Sequence, residues 1–328
     1  MRLLRIIKRS RALRPFLGRT QPYLLEQLRK YHVDIVEVGP RDGLQSERGV
    51  IPAATKAELI NLLGLSGLRT IEAAAFVSPK WVPQMADSAK VMELITPLKG
   101  ITYQALVPNM KGLQEAIAAG FNEVSVFASA SEAFSQKNIN CSISESVERF
   151  RPVCEAAKKH RVNVRAYVSC ALGCPYEGHV TPGAVTRLAY TLVDLGCYQV
   201  SLADTIGVGT AGSTEKMLDA VTAQVPVSML AVHFHDTYGQ ALANILVALQ
   251  KGVRVVDSAI AGLGGCPYAA GATGNASTED VLYMLTGLGV HTNVHMEKLL
   301  DATQYISKAF DNRPPQSRAA QALLKGRE

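Results

Sequence analysis

Eight short runs rich in apolar and β-branched residues recur along this chain, each followed by a longer stretch of helical period. The runs are Asp34 to Val38, Thr70 to Ala74, Ile101 to Val107, Glu123 to Phe127, Asn163 to Val168, Gln199 to Ala203, Leu230 to His235 and Val255 to Ala261. Between them, Val185, Leu188, Ala189 and Leu192, and again Leu242, Ile245, Leu246 and Leu249, repeat at i, i+3, i+4, i+7, the spacing of one helical face. Thr181-Pro182 supplies a helix cap with a first-turn proline, and Gly196 a stop. Eight strand–helix units over roughly 260 residues predict an α/β chain folded as a closed parallel (β/α)8 TIM barrel, since a doubly wound sheet more often stops at five or six strands.

The barrel is expected over residues 32–311, between an arm at 1–31 and a flexible tail at 312–328. Of the formal net charge of +6, residues 1–30 carry +8, nine basic groups against Glu26, so the body is near −2. A nearly neutral body lacks the electrostatic footprint of a nucleic-acid binder. The arm has no acid before Glu26, and its arginines alternate with Leu3, Leu4, Ile6, Ile7, Leu13 and Leu17, a pattern that predicts import into the mitochondrial matrix. No run of about 18 apolar residues occurs, so no stable membrane insertion is expected. Six cysteines in a chain of this size fit a reducing compartment, and Cys170 and Cys174 lack the second pair that a zinc knuckle needs.

In such a barrel, chemistry gathers where the βα loops converge at the carboxyl ends of the strands. Those ends carry Gly39-Pro40-Arg41-Asp42-Gly43, Glu72, Asp204 and His233-Phe234-His235-Asp236, and the eighth run leads through a glycine-rich loop to Asn275. Alternation puts His233 and His235 on one face of their strand. Strands seven, eight and one are neighbours on closure, so Asp42, His233, His235 and Asn275 are expected to converge as metal ligands. One carboxylate, two imidazoles and an amide oxygen, with no thiolate, suit a divalent cation such as Mg2+ or Mn2+.

Arg41, beside that set, can hold an oxygen on which negative charge develops, with Glu72 and then Asp204 as acids that orient it. Cys266 lies among Gly262, Gly264, Gly265, Pro267, Gly271 and Gly274, a composition that suits a closing loop. Together these groups invite carbon–carbon bond cleavage or formation beside a carbonyl. The base could be His233, Asp42 or a bound water, and Cys266 is read as an acid–base group ahead of a covalent nucleophile.

The segments Val36 to Gln45, Phe76 to Met85, His233 to Gln240 and Gly262 to Tyr268 resemble the mitochondrial type of 3-hydroxy-3-methylglutaryl-CoA lyase, within the DRE-TIM metallolyase superfamily. The resemblance runs from residue 33 to about 310. It implies cleavage of 3-hydroxy-3-methylglutaryl-CoA to acetyl-CoA and acetoacetate, in ketogenesis and leucine breakdown. It also implies an acyl-CoA substrate contacted by Lys137, Asn138 and Ser142, and a homodimer. Arg48 stands where animal mitochondrial members tend to carry lysine, and no cysteine follows Cys266, so the carboxyl-terminal thiol of some animal members is missing. The alternatives are a Claisen-type synthase or aldolase of the same superfamily, and a non-catalytic binding protein. The glycine-rich cysteine loop separates the lyase from the first, and the full set of strand-end residues from the second.

Overall fold

The computed structural model describes residues 31–47, 49–265 and 274–326. The basic arm through residue 30, Arg48 and Cys266 lie outside the described residues.

The strands are β1 (Asp34–Glu37), β2 (Thr70–Ala75), β3 (Thr102–Leu106), β4 (Glu123–Ser129), β5 (Asn163–Ser169), β6 (Gln199–Asp204), β7 (Leu230–Phe234) and β8 (Val255–Ser258). They pair in parallel in chain order, and β8 returns to β1 to close the barrel. The connecting helices are α1 (Ala53–Leu65), α2 (Ser88–Leu94), α3 (Met110–Ala118), α4 (Glu132–Ile139), α5 (Ile143–Lys159), α6 (Pro182–Asp194), α7 (Ala211–Thr222) and α8 (Ala241–Gln250). Three more follow: α9 (Thr278–Leu288), α10 (Met296–Ala309) and α11 (Arg318–Lys325). Thr181 caps α6 by accepting from Ala184 N, and Gly196 follows that helix at φ +98°.

Alternation along the strands divides two environments. On β5, Val164, Ala166 and Val168 alternate with Arg165 and Tyr167; on β7, Val232 and Phe234 flank His233, and all are buried. The apolar set builds the layer under the helices. The other set points inward, where Arg165 reaches across the barrel from β5 to Asp257 on β8. The lumen at that level is therefore polar and ion-paired rather than a stack of aliphatic side chains.

Two boundaries differ from expectation. The eighth run ends as a strand at Ser258, because Ile260–Gly262 forms a tight helical turn in which Ala261 takes φ +58°. Buried carboxylates hold that turn: Ile260 N donates to Glu37 and Ala261 N to Glu279. The expected flexible tail is corrected too, for residues 313–326 contain α11 and are pinned to the barrel. Gln316 N donates to Ala261 O at 2.8 Å, and Asp280 accepts from Ser317 Oγ and Ala319 N. A serine cap and one half-buried acid order a segment whose Pro314-Pro315 reads as a breaker.

Candidate active site

The first strand sets the site. Beyond Glu37 the chain makes one wide turn, Gly39–Gly43, in which Arg41, Asp42 and Gly43 all donate their backbone N–H to Val38 O. Gly39 is the residue this turn requires. A Cβ there would stand 2.6 Å from Glu37 Oε1 and 2.7 Å from Ile260 Cγ2. The turn lifts Arg41 and Asp42 over the barrel mouth side by side.

Arg41 is buried and pairs with two acids. Its Nε donates to Glu72 Oε2 at 2.6 Å and its Nη1 to Asp42 Oδ1 at 2.9 Å, while Ser125 Oγ donates to the other Glu72 oxygen at 2.7 Å. Burial disfavours the guanidinium's charge, but Glu72 and Asp42 outweigh it and raise the Arg41 pKa. Its Nη2 also lies against Glu72, so all three guanidinium nitrogens face these two acids.

Asp42, His233, His235 and Asn275 meet here. His233 Nε2 lies 3.4 Å from His235 Nε2 and 3.7 Å from Asp42 Oδ2, and ligand atoms of the three acidic and imidazole residues fall within 4.8 Å of one another. Asn275 Nδ2 donates to Asp42 Oδ2 at 2.8 Å and to Leu263 O at 3.2 Å, whereas Asn275 Oδ1 is buried with no partner. Two ring nitrogens and a carboxylate oxygen facing one point, with the Asn275 amide bonded to that carboxylate and its Oδ1 left without a partner, fit a divalent cation by chemistry.

The electrostatics of Asp42 and His235 agree with that use. Burial would raise Asp42, yet Arg41, both imidazoles and the Asn275 amide hold its carboxyl at about 2. Burial and the neighbouring His233 lower His235 to about 4, leaving its lone pair free near neutrality. His233 moves the other way: burial opposes its charge, but Asp257 and Asp42 beside it prevail.

The remaining expected residues are arranged differently. Asp204 does not orient Arg41: its carboxylate accepts from Val208 N at 3.2 Å and Gly209 N at 2.8 Å, closing the loop after β6, and burial lifts it to about 6. Lys137 and Asn138 lie exposed on α4. Ser142 caps α5 in a reciprocal pair with Glu145, so its hydroxyl already serves the backbone. A groove of about 410 Å³ runs beside them, lined by Glu132, Ile143, Ser144, Val147, Arg187 and Leu188 among others. Cys266 lies outside the described residues, but the stems of its loop are close together beside Asn275: a Cβ on Gly274 would stand 2.2 Å from Gly264 O.

Sequence reasoning passed over Glu37, Arg165, Tyr167 and Asp257, all buried. Glu37 joins the two sides of the mouth, accepting from Gly39 N, Ile260 N and Thr278 Oγ1, and burial pushes it to about 8. The available signal was a charged residue inside a strand of an all-parallel sheet, which must find a partner in the lumen.

The HMGL-like family model matches residues 32–306. Rattus norvegicus hydroxymethylglutaryl-CoA lyase, mitochondrial, is 60% identical over 293 residues, 89% of this chain and 90% of that protein. Danio rerio 3-hydroxy-3-methylglutaryl-CoA lyase, cytoplasmic, is 59% identical over 291 residues, 89% of this chain and 87% of that protein. The crystal structure of hydroxymethylglutaryl-CoA lyase from Pseudomonas aeruginosa superposes with a TM-score of 0.88 at 58% identity, covering 90% of this chain and 98% of that one.

Proposed function

The chain belongs to the HMGL-like family, and from that premise we propose how its residues divide the work of cleaving 3-hydroxy-3-methylglutaryl-CoA. The activity is that of a carbon–carbon lyase, giving acetyl-CoA and acetoacetate, and the synthase or aldolase alternative is not favoured.

The observation that carries the division is the cluster of Asp42, His233 and His235, whose ligand atoms lie within 4.8 Å of one another, with the Asn275 amide bonded to Asp42 beside it. These four hold a divalent cation, and their oxygen and nitrogen donors favour Mg2+ or Mn2+. When bound, the cation supplies Lewis acidity toward the substrate's hydroxyl and carbonyl oxygens. With its carboxyl at about 2, Asp42 is too weak a base for neutral pH, which suits the ligand role.

A water at the site accepts the C3 hydroxyl proton as the bond between C2 and C3 breaks, so that C3 becomes the ketone of acetoacetate and the bonding pair leaves negative charge on the thioester side. Arg41 donates to that oxygen, and the Glu72–Ser125 pair keeps the guanidinium from turning away. Cys266, between the Gly265 and Gly274 stems, returns a proton to C2. Asp204 acts on the site indirectly, through the loop after β6. Lys137 and Asn138, exposed on α4, contribute to holding the polar body of an acyl-CoA, with Ser142 contributing through its helix cap.

The matrix of the mitochondrion is the compartment this reading favours, supported by the strongly basic arm, acid-free before Glu26, and by relatives named mitochondrial, beside one named cytoplasmic. The organisation it favours is a catalytic barrel over 32–311 behind a removable arm, working as a homodimer, which sedimentation velocity tests. Turnover of the CoA thioester with and without chelator tests the activity and its metal together.

A further inference from the structure

His233 and His235 sit two residues apart on the same face, yet their far sides differ. His235 Nδ1 is buried and without a partner. His233 Nδ1 instead faces a carboxylate, Asp257 Oδ2, at 3.5 Å, just beyond a formed hydrogen bond.

That carboxylate is unusually fixed. Asp257 pairs with His233 across the β7–β8 ladder and is about 1% exposed. Arg165 grips it with two donors, Nη2 to Oδ1 at 2.6 Å and Nη1 to Oδ2 at 3.1 Å, and Ser201 Oγ donates to Oδ2 at 2.8 Å. Arg165 is itself steadied by Gln199, to which its Nε donates at 2.7 Å. Three strands, β5, β6 and β8, thus spend buried polar groups on aiming one oxygen at one ring nitrogen. A closed ion pair inside a barrel needs no histidine to satisfy it, so the direction of Oδ2 calls for a reason.

We propose that Asp257 is a positioning residue for His233: it accepts Nδ1–H, fixes that tautomer, and so presents a bare Nε2 to the cation site. This rests on the ligand reading of His233 above. A ring tilt of a few tenths of an ångström closes the 3.5 Å gap, and an imidazole held by such a carboxylate is a more basic and better-aimed ligand.

Two measurements test it. Nitrogen-15 NMR of histidine-labelled protein at pH above 8, with His233 assigned through His233→Ala, reads the tautomer directly; Nδ1–H with bare Nε2 is expected, and Nε2–H overturns the proposal. Mn2+ titration of the metal-free enzyme is expected to give a Kd about 10-fold or more weaker in Asp257→Asn, and a smaller loss in Ser201→Ala, which keeps the Arg165 pair. Weakened binding in His233→Ala with none in folded Asp257→Asn overturns this inference alone. Unchanged binding in both overturns the ligand reading and the inference with it. If Asp257→Asn fails to fold because Arg165 is left unpaired, the wild-type tautomer still decides.

Discussion

Glu72 holds Arg41 from beneath, its Oε2 accepting the guanidinium Nε at 2.6 Å while Ser125 occupies its other oxygen at 2.7 Å. The pair spans β2 and the turn after β1, so it fixes the arginine's plane before any substrate arrives. Its cost is exposed when one partner is taken away.

Arg41→Met should therefore lose stability, by about 3–5 kcal/mol in equilibrium denaturation, because it strands a buried carboxylate. The Arg41→Met/Glu72→Met double variant should recover most of that loss while turnover stays down by ~10²–10³. Equal stability in the single and double variants would mean that the ion pair is not what the arginine contributes.

Glu37 should make the fold sensitive to pH. Its folded pKa of about 8 lies above the ordinary 4.5, because burial outweighs the bonds from Thr278, Ile260 and Gly39. The folded chain therefore keeps a proton that the unfolded chain releases. Stability from this group is complete below about 4.5 and declines as pH rises to about 8. A protonated Glu37 can donate to Thr278 Oγ1, which can pass its own hydrogen to Ser258 at 2.9 Å. Melting temperatures of Glu37→Gln should gain on wild type across that window and hold a constant difference above it. A difference independent of pH rules this assignment out.

His235→Ala should weaken divalent-cation affinity by roughly 10-fold or more, on the scale of disturbing a ligand shell. Calorimetric titration of Mn2+ into metal-free protein checks it, and an unchanged isotherm removes His235 from the ligand set.

Cys266→Ala should fold and melt like wild type yet lose at least ~10² in turnover, the amount general acid–base catalysis commonly supplies. Wild-type rates in that variant would return Cys266 to the standing of an ordinary loop residue.

The barrel was legible because its strands advertise themselves by β-branched runs and its helices by period, and because eight such units close at this length. The convergence of Asp42, His233, His235 and Asn275 was legible for a topological reason: strands seven, eight and one are neighbours in any closed eight-stranded barrel. Arg165 and Asp257 escaped because they are 92 residues apart and meet only across the lumen. Ser142 and Asp204 carry a use that their place at loop ends does not announce: both bond the backbone, as a helix cap and as a loop staple. The order of residues 313–326 depends on Asp280, far away in sequence, and no local pattern reports it.

The most direct test is a coupled assay of purified protein with 3-hydroxy-3-methylglutaryl-CoA, following acetoacetate and acetyl-CoA. Equal amounts of both products, abolished by chelator and restored by Mg2+ or Mn2+, are the predicted result. Turnover of a 2-oxo acid with acetyl-CoA but none of the 3-hydroxy thioester, or cleavage indifferent to chelator, would contradict the account.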